Sequence, residues 1–553
     1  MGAEMAATEQ RALAGPREAP SLPGLWRTIR TNGPPLFVSL PALLIAVAMA
    51  LPLLYLVIRS VGASSEAWDL LLRPRTAQIL GRSMLLVTTV TTLCLAIALP
   101  LAWLTVRTDL PLRRTWGVLT ALPLVIPSYV GAFLVISVLG PKGLVQELLS
   151  GPFGVDRLPS IYGLPGATMT LTLLSYPYVL LTVRSVLANL DPALEESARS
   201  LGAGPMRVQF RVVLPLLRPA AASGALLIGL YTLADFGAVS LLRYETFTWA
   251  IYQQYQSAFD RSIAAVLSLV LVALAVGVLL VEARSRGKLR YHRSTPGVRR
   301  LPRIVHLEKW RWPALAFCGA IVLFALILPM SVLGYWVVRG MASGEGFDAL
   351  WSATWNSVFV SAIAAVVVAA LSIPVAVLAV RYPSLPSRII ERLTFTGYAL
   401  PGIVVALALV FFGTTLALPI YQTIWLLLIA YIVLFFPAAL GATRSALLQV
   451  SPRLEESARG LGRGQLRTLK DVTVPLMRSG VAAGAALVFL ITMKELPATL
   501  ILGPLGFKTL ATSIWSASSE AFFARAAAPA LMLILLSSVP MALLMLRDRK
   551  VRL

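Results

Sequence analysis

The chain carries one polar stretch in two copies, EESARSLGAGPMRVQFRVVLP from Glu195 to Pro215 and EESARGLGRGQLRTLKDVTVP from Glu455 to Pro475. Both copies are basic islands in a chain that is otherwise strongly apolar. Each copy contains a glycine suited to the left-handed conformation that ends many helices. These glycines are Gly202 and Gly462. We therefore predict a helix–glycine–helix element in each copy, and we call the two elements the first knob (residues 189–218) and the second knob (residues 449–478).

The flanking residues predict where the helices of each knob begin and end. Asp191-Pro192 and Ser451-Pro452 each place an N-capping side chain before a proline in the first turn. A second short helix is predicted to follow each glycine and to end at Pro215 or Pro475. One such loop could be a solvated connector, whereas two copies with the same caps, glycines and prolines favour a docking element.

The composition predicts a membrane protein. Of the 553 residues, 58% are hydrophobic and the mean hydropathy is +0.80. The net charge of +23 comes largely from Lys and Arg in short loops between apolar runs, a pattern that sets membrane topology and does not indicate nucleic-acid binding. Cys94 and Cys318 fall inside apolar runs, and His292 and His306 have no partners at ligand spacing. The sequence therefore predicts neither a disulfide nor a stably bound metal.

The apolar runs are about 20 residues long, the length that crosses a bilayer, and they predict an all-α protein with about 12 transmembrane helices. Residues 1–33 show no hydrophobic period and predict a disordered basic tail. Lys and Arg concentrate in both knobs, in the linker 284–312 and at the C-terminus, so these segments are predicted to be cytoplasmic. The predicted spans are residues 36–58, 84–106, 117–139, 166–188, 219–241, 262–282, 313–338, 357–380, 393–416, 421–441, 479–502 and 525–546.

The duplication extends beyond the knobs. Matching residues lie 274 positions apart in the early part of each half and 260 apart later, and the difference falls in the loop 140–165. Because each half has six spans, both halves enter the membrane in the same direction. The sequence thus predicts two parallel repeats, residues 34–283 and 313–553, with a pathway between them. Four matching pairs are Arg107/Arg381, Pro127/Pro401, Pro177/Pro437 and Asp235/Glu495.

The chain has no predicted energy source of its own. A phosphate-binding Walker A loop requires GxxxxGK[ST], and the nearest string, GPLGFKT at 503–509, lacks the Gly-Lys pair. Energy must then come from an ion gradient or from a separate subunit. Two knobs on one side of the membrane favour a separate, dimeric ATPase.

The knobs also resemble a known family. Their pattern E-x-A-x-x-x-G, followed ten residues later by a β-branched residue and x-[LV]-P, resembles the EAA loop of ABC-importer permeases. The first alanine of the family's triplet is replaced by Ser197 and Ser457. The resemblance covers about residues 50–545 and implies two fused permease domains with the type I importer fold. The residues it implicates in ATPase coupling are Glu195, Glu196, Ala198, Gly202 and Pro215, and Glu455, Glu456, Ala458, Gly462 and Pro475.

The same resemblance implies partners and a location. A permease subunit is not itself an enzyme, because a separate dimeric ABC ATPase binds ATP and Mg; no cofactor is expected in this chain. An extracytoplasmic substrate-binding protein would deliver the substrate. The chain would cross the inner (plasma) membrane of a prokaryote many times, with both termini in the cytoplasm.

Fused permeases of this size resemble ferric-iron importers most and thiamine importers next. Two strings are similar to segments of the iron group, DFGAVSLLRYETFTWAIY from Asp235 and MKELPATLILGPLGFKTLATSIW from Met493. The resemblance therefore implies ferric iron as the substrate, with thiamine or another small solute as the alternative.

Two carboxylates at membrane depth give independent support for a cationic substrate. Asp235 and Glu495 occupy equivalent positions, and charge inside a membrane span is costly enough to indicate function. Ferric iron prefers oxygen ligands, so both carboxylates with Tyr231 nearby would suit it. The alternative is packing, with Glu495 paired to Lys494 and Asp235 to Arg243 or a helix end. The aromatic residues that follow are predicted to anchor the chain at the membrane interface: Tyr244, Phe247, Trp249, Tyr252, Phe507, Trp515 and Phe522.

Two other classes of function stay open from sequence. An ion-coupled secondary transporter would also have six plus six parallel spans, but it would need no docking knobs. A non-transporting membrane scaffold would not need paired carboxylates within the membrane.

Overall fold

The structure, a computed structural model, describes residues 33–62, 68–141, 143–154, 157–257, 262–285, 304–346 and 348–550. Nearly all of the predicted tail and the middle of the linker lie outside the described residues. Among those described, eleven helices are long and apolar enough to cross a membrane, or twelve if the bent pair Leu385–Ala399 and Gly402–Thr415 is one span. The prediction of an all-α membrane protein with about twelve spans is confirmed.

The first half runs from Leu36 to Ser285. A π-helical turn, Gln209–Val213, joins its eighth and ninth helices, and a 3-10 turn, Leu122–Val125, precedes its fourth. The helices are α1 (Leu36–Val61), α2 (Pro74–Arg107), α3 (Arg113–Leu119), α4 (Ser128–Leu139), α5 (Leu144–Phe153), α6 (Leu164–Asn189), α7 (Pro192–Ser200), α8 (Pro205–Val208), α9 (Leu214–Ala234), α10 (Gly237–Leu241), α11 (Phe247–Ser257) and α12 (Ser262–Ser285).

The second half repeats this order. Its π-helical turns are Leu323–Ile327, after its first helix, and Leu469–Thr473, which leads into its ninth. The helices are α13 (Arg311–Val322), α14 (Leu328–Ala342), α15 (Asp348–Arg381), α16 (Leu385–Thr394), α17 (Gly402–Thr415), α18 (Ile424–Gln449), α19 (Pro452–Gly460), α20 (Gln465–Thr468), α21 (Val474–Met493), α22 (Pro497–Leu502), α23 (Leu510–Ser519) and α24 (Phe523–Lys550).

The helices of the two halves match one to one, except that α1 corresponds to α13 and α14 together and that α5 has no α-helical counterpart. α2 and α15 start at equivalent residues with the offset of 274, and α6 and α18 do so with the offset of 260. The extra residues of the first half include α5. Each half is built on three mutually packed helices, α2, α6 and α9 in the first and α15, α18 and α21 in the second. Two parallel repeats are thus confirmed.

The first helix of each half crosses over to the other half. α1 packs along α15, α16 and α17, and Ala42 and Met49 of α1 are fully buried. In exchange, α14 packs against α4 of the first half as well as α24 of its own. Between the crossed helices, α4 and α10 of the first half meet α23 of the second. This contact is the seam along which a pathway between the halves would run.

Four spans that were predicted to be continuous are broken. Residues 117–139 form α3, a 3-10 turn and α4, and the equivalent span 393–416 bends by 111° before α17. A proline at each break (Pro127, Pro401) removes a backbone donor and ends the preceding turn. Spans 219–241 and 479–502 break where Asp235 and Glu495 interrupt the helix. Hydropathy averages over such breaks, so it did not reveal them.

Candidate coupling knobs and transport pathway

Each knob begins with a nine-residue helix, and a glycine lies two residues beyond the end of that helix. Gly202 and Gly462 have φ of 80° and 83°. The Gly202 N–H donates to the Arg199 carbonyl at 2.9 Å, and the Ala203 N–H donates to the Ala198 carbonyl at 3.1 Å. The second knob has both bonds at the same distances. This is the Schellman motif, which satisfies the last carbonyls of a helix and favours glycine at the left-handed position.

The starts of the knobs differ from the prediction in one half. The Asp191 carboxylate accepts a hydrogen bond from the Ala193 N–H at 3.0 Å, so the predicted cap is present in the first knob. The Ser451 side chain makes no capping hydrogen bond, so that prediction is wrong. In the second knob the Leu454 N–H donates to the Ser451 backbone carbonyl at 3.2 Å instead.

The second helix of each knob does not end at Pro215 or Pro475, which corrects the sequence prediction. α8 continues through its π-helical turn into α9, and α20 continues in the same way into α21. Each proline lies in the first turn of the transmembrane helix. A proline inside a continuing helical run lacks one donor and crowds the preceding carbonyl. The π turn just before it is where the run accommodates this defect.

The first glutamate of each knob points inward and holds the knob to the membrane domain. Glu195 pairs with Arg107, the last residue of α2, at 2.9 Å, and both side chains are nearly buried. Glu455 pairs with Arg381, the last residue of α15, through contacts of 2.9 and 3.1 Å. The Thr473 hydroxyl also donates to Glu455 at 3.1 Å. Sequence analysis matched the two arginines in the repeat but did not assign them this contact.

The second glutamate and one leucine of each knob face outward. Glu196 and Glu456 are exposed. Leu201 and Leu461, the residues just before the helix-ending glycines, are 88% and 85% exposed. Large apolar side chains at such exposure are typical of contact sites for another protein when they cluster. The leucines occupy equivalent positions, a feature that sequence analysis missed because it considered only the charged and small residues.

The residues that precede α13 and α1, the first helices of the two halves, contact the bases of the knobs. The Val305 N–H donates to the Arg107 carbonyl at 2.8 Å, and the Asp109 N–H donates to the Val305 carbonyl at 3.2 Å. The Asp109 carboxylate accepts from the Leu307 N–H at 2.9 Å and lies 3.0 Å from the ring of His306. The Leu307 N–H, and after it the His306 side chain, hold the pKa of the Asp109 carboxyl below its usual value. The end of the linker is thus attached at the base of the first knob.

An equivalent contact exists beneath the second knob. Pro35, Phe37 and Val38, at the start of α1, line one small cavity together with Arg381 and Glu455. Each knob is therefore anchored by its own half and touched by the chain that leads into the first helix of the other half. The start of α1 and the end of the linker lie on the same side of the molecule as the knobs.

The two candidate pathway carboxylates cap the short helices that follow the broken spans. Asp235 is buried and accepts from the N–H groups of Ala238 and Val239 at 3.0 and 3.3 Å. Glu495 accepts from the Ala498 N–H at 3.1 Å. In the described residues, neither the Glu495–Lys494 pair nor the Asp235–Arg243 pair is formed. The structure instead places both carboxylates at helix starts, an arrangement that was considered from sequence for Asp235 but not for Glu495.

Tyrosine and serine side chains of the first half lie beside these carboxylates. Ser128, the first residue of α4, lies close to both Asp235 and Tyr231. Tyr129, which is 2% exposed, packs against Gly237 and lies within electrostatic range of Glu495. Its hydroxyl has no hydrogen-bond partner in the described structure. Sequence analysis missed Tyr129, since a tyrosine in an apolar run carries no distinguishing pattern.

Polar and aromatic contacts close the seam next to the carboxylates. The Lys494 ammonium donates to the Leu124 carbonyl of the first half at 3.0 Å. The Trp515 indole donates to the Ser240 hydroxyl at 3.2 Å, also across the seam. An aromatic plug surrounds this bond, with ring centroids 4.8–6.3 Å apart. It consists of Phe236, Trp249, Tyr252 and Trp515.

The predicted role of the aromatic residues as interface anchors is wrong for several of them. Phe247 is 1% exposed and Tyr244 is 8% exposed, so both belong to the protein core. Trp249, Tyr252 and Trp515 pack on one another across the seam. Cys94 and Cys318 are free and buried. Among the described residues, no three or more His, Cys, Asp or Glu side chains lie together as a metal site.

Comparison with known proteins identifies the family. Residues 95–290 and 372–553 each match the family described as "Binding-protein-dependent transport system inner membrane component". The Fe(3+)-transport system permease protein FbpB 2 of Haemophilus influenzae is 36% identical over 516 residues, which cover 92% of this chain and 98% of that protein. The ferric transport system permease protein FbpB of Actinobacillus pleuropneumoniae is 25% identical over 402 residues, 70% of this chain and 58% of that protein.

A further relative matches about the length of one repeat. The molybdenum transport system permease protein ModB of Escherichia coli is 33% identical over 211 residues, which cover 36% of this chain and 91% of that protein. The doubled family match agrees with the two structural repeats, each with one knob and one broken fifth span. The chain therefore belongs to the binding-protein-dependent transport system inner membrane component family, as a multi-pass ABC permease subunit in which two copies of the permease domain are fused.

Proposed function

We propose that the chain forms the translocation pathway of an ABC importer for ferric iron. A substrate-binding protein would deliver the iron on the face opposite the knobs, and a separate dimeric ATPase, which would hold the ATP and Mg, would dock on them. The proposal is supported by relatives named as Fe(3+) and ferric transport permeases that align across both halves. The observation that carries it is the pair of knobs, each fixed by an Arg–Glu contact and each presenting an exposed glutamate and leucine.

The docking role of the knobs is tested by reversing charge on their outer faces. The double variant Glu196→Lys with Glu456→Lys should release the ATPase subunits in a pull-down, or uncouple ATP hydrolysis from uptake. Glu520→Lys is a matched control, because Glu520 is exposed beyond the outer end of α23. If pull-down and uptake are unchanged in the double variant, the knobs are not the docking site. Glu195 and Glu455 would contribute to coupling indirectly, by keeping the knobs in place.

The pathway is proposed to pass Asp235, Glu495 and Tyr231 along the seam, with Tyr129 facing it. Asp235→Asn with Glu495→Gln should cut ferric uptake and leave assembly with the ATPase intact, since Asn and Gln can still accept the capping hydrogen bonds. Loss of folded protein together with uptake would indicate a packing role instead. Assembly and iron uptake at the parent rate would show that the carboxylates lie off the path.

Substrate choice is tested on the reconstituted complex. Proteoliposomes that contain the permease, its ATPase and its binding protein should take up ferric iron in an ATP-dependent manner that an uncoupler does not abolish. Uptake of thiamine without iron would change the substrate and leave the importer function standing. Uptake that an uncoupler abolishes and ATP does not support would point to an ion-coupled secondary transporter.

The topology completes the proposal. Knobs, linker and both termini would lie in the cytoplasm of a prokaryote, with permease domains at 34–283 and 313–553 joined by the linker 284–312. This is supported by the Lys and Arg bias and by the docking of residues 304–307 beneath the first knob. A single cysteine in the linker should resist a membrane-impermeant thiol reagent in intact cells. Rapid labelling there would overturn the orientation.

A further inference from the structure

A large cavity separates the crossed helix of the second half from the first half. Its volume is about 1240 Å³, above the range of roughly 300–1,000 Å³ that is usual for small-ligand pockets. One wall consists of α2, α4 and α6, and the other consists of α13, the π turn 323–327 and α14. All of these helices belong to membrane-spanning segments. The cavity therefore lies at membrane depth and away from the seam between α4, α10 and α23.

The walls of the cavity are made of hydrocarbon. Among the described residues, no ionisable side chain lines it, and its polar lining side chains are all threonines. Two of these, Thr88 and Thr89, donate their hydroxyls to carbonyls of their own helix. Cavities with apolar walls do not hold ordered water. Phe324 and Leu93, which are 54% and 44% exposed, lie at its edge and would meet lipid directly.

The equivalent space in the second half is filled by protein. α1 packs along α15 there, and its side chains Ile45, Met49 and Leu56 are at most 5% exposed. By the repeat, α13 and α14 should pack along α2 in the same way. They have no comparable packing with α2, and the cavity occupies that place. Helices thus pack directly on each other at this position in the second half, whereas a cavity separates them at the equivalent position in the first half.

An empty gap of this size would not persist. Its edge, where Phe324 and Leu93 are exposed, is open toward the outside of the helix bundle, so in a bilayer hydrocarbon enters it and covers its apolar walls. Hydrocarbon is the only abundant material at membrane depth that matches such walls. We propose that the acyl chains of a membrane phospholipid occupy this cavity, as a resident lipid between α2 and the crossed helix.

The position of the cavity indicates both the leaflet and a consequence for transport. Leu139, Val145 and Leu164 line one end of it, at the side of α5 and opposite the knobs, so the lipid belongs to the leaflet on that side. Gly131 and Leu134 of α4 also line it. α4 carries Ser128 and Tyr129 toward the seam, so the lipid lies directly behind a helix that borders the proposed pathway. The binding of the lipid itself does not depend on that pathway or on the substrate.

The test is to count retained phospholipids on the full chain. The chain is reconstituted in nanodiscs of phosphatidylethanolamine and phosphatidylglycerol, transferred to detergent and examined by native mass spectrometry. Ala320→Trp with Thr92→Trp fills the cavity from both walls, because both residues line it and both are exposed. Ala316→Trp is the matched control, on the same helix one turn away and outside the lining. The parent and the control should retain at least one phospholipid that the filled variant loses.

A second measurement covers the case in which the filled variant fails to fold. The parent chain is reconstituted with a phospholipid that carries a photoreactive diazirine in its acyl chain. Cross-links to lining residues such as Met169 support the proposal, and cross-links confined to outward residues such as Val338 overturn it. Equal lipid retention by the parent and a folded filled variant also overturns it. So does rapid disulfide formation between Thr92→Cys and Ala320→Cys, made without Cys94 and Cys318, because the gap would then close on itself.

Discussion

The crossed helices of the two halves pack differently against the half to which they cross. α1 lies directly on α15 of the second half, whereas α13 and α14 leave a cavity of about 1240 Å³ in front of α2 in the first. Features that face the seam or the knobs are, by contrast, repeated closely: the Arg–Glu anchors, the helix-ending glycines and the capping carboxylates. The structures of the two halves are therefore alike where the halves must act together, and they differ where each half meets lipid.

The knob anchors also differ between the halves, in strength and not in kind. Glu455 accepts hydrogen bonds from two nitrogens of Arg381 and from Thr473, and Arg381 also donates to the Val450 carbonyl at 2.9 Å. Glu195 has Arg107 at 2.9 Å and Arg199 at 4.0 Å. The second knob is therefore held by the denser network.

The largest difference should come from removing the anchor arginines. Arg381→Ala leaves the carboxylate of Glu455 buried without its charge partner, a change that costs about 3–5 kcal/mol in buried pairs. Arg107→Ala should cost less, because Glu195 keeps Arg199 nearby and is more exposed. The midpoint of thermal unfolding of each purified variant measures the difference. The double variant Arg381→Ala with Glu455→Ala should recover part of the loss. Equal destabilisation by the two arginine variants would contradict the difference in strength.

An intermediate effect is expected from the exposed leucines. Leu201→Asp or Leu461→Asp should each weaken ATPase binding by about 2 kcal/mol, or roughly 30-fold, if each leucine is an interface hot spot. Both variants together should nearly abolish binding. Leu505→Asp is the control, because Leu505 is 86% exposed in the loop between α22 and α23. Titration of the ATPase against each variant gives the affinities. A loss confined to one knob would show that the ATPase uses the halves unequally.

The smallest effect should be the pH dependence of linker docking beneath the first knob. The second knob has no aspartate at the equivalent position, because Pro383 corresponds to Asp109. The folded-state pKa of Asp109 lies below its usual value of about 3.9, so its ionised form favours docking above that pH. Docking should weaken as the pH falls from about 4 through the lower folded value. Asp109→Ala should remove this dependence. Hydrogen exchange at the amides of Val305 and Leu307 reports both changes, and exchange that is unaffected in the variant would contradict them.

The sequence was sufficient to predict the span count, the parallel repeat and the position of both knobs. These depend on local signals: apolar length, prolines and glycines in register, and Lys and Arg in short loops. The helix-ending role of Gly202 and Gly462 was predicted because a left-handed turn strongly favours glycine. The role of Asp191 as a cap was predicted for the same kind of reason. The prediction that the Ser451 side chain caps the second knob was wrong, because the Leu454 N–H donates to the Ser451 backbone carbonyl instead.

What could not be predicted depends on contacts far apart in the chain. Arg107 and Glu195 are 88 residues apart, and nothing local shows that one neutralises the other. The seam bonds of Lys494 and Trp515 join the two halves, so they need the crossed arrangement of α1 and α14 to be known first. The breaks at Asp235 and Glu495 lie inside segments that are apolar on average, so hydropathy does not reveal them. The sequence thus indicates candidate site residues, but it missed Tyr129 and the exposed leucines of the knobs. The orientation of all these side chains follows only from the assembled helices.

The continuity of each knob with its fifth span has a mechanical consequence. From Pro205 to Ala234 the helical run is unbroken apart from one π turn, about 45 Å at the usual rise per residue. Such a run behaves as a stiff rod with a single compliant joint, and the joint lies close to the knob. A displacement at the knob end of this run would therefore be transmitted along the helix axis to the break beside Asp235. A movement imposed on the knob would thus reach the residues beside Asp235. The equivalent helical run of the second half, from Gln465 to Met493, ends beside Glu495.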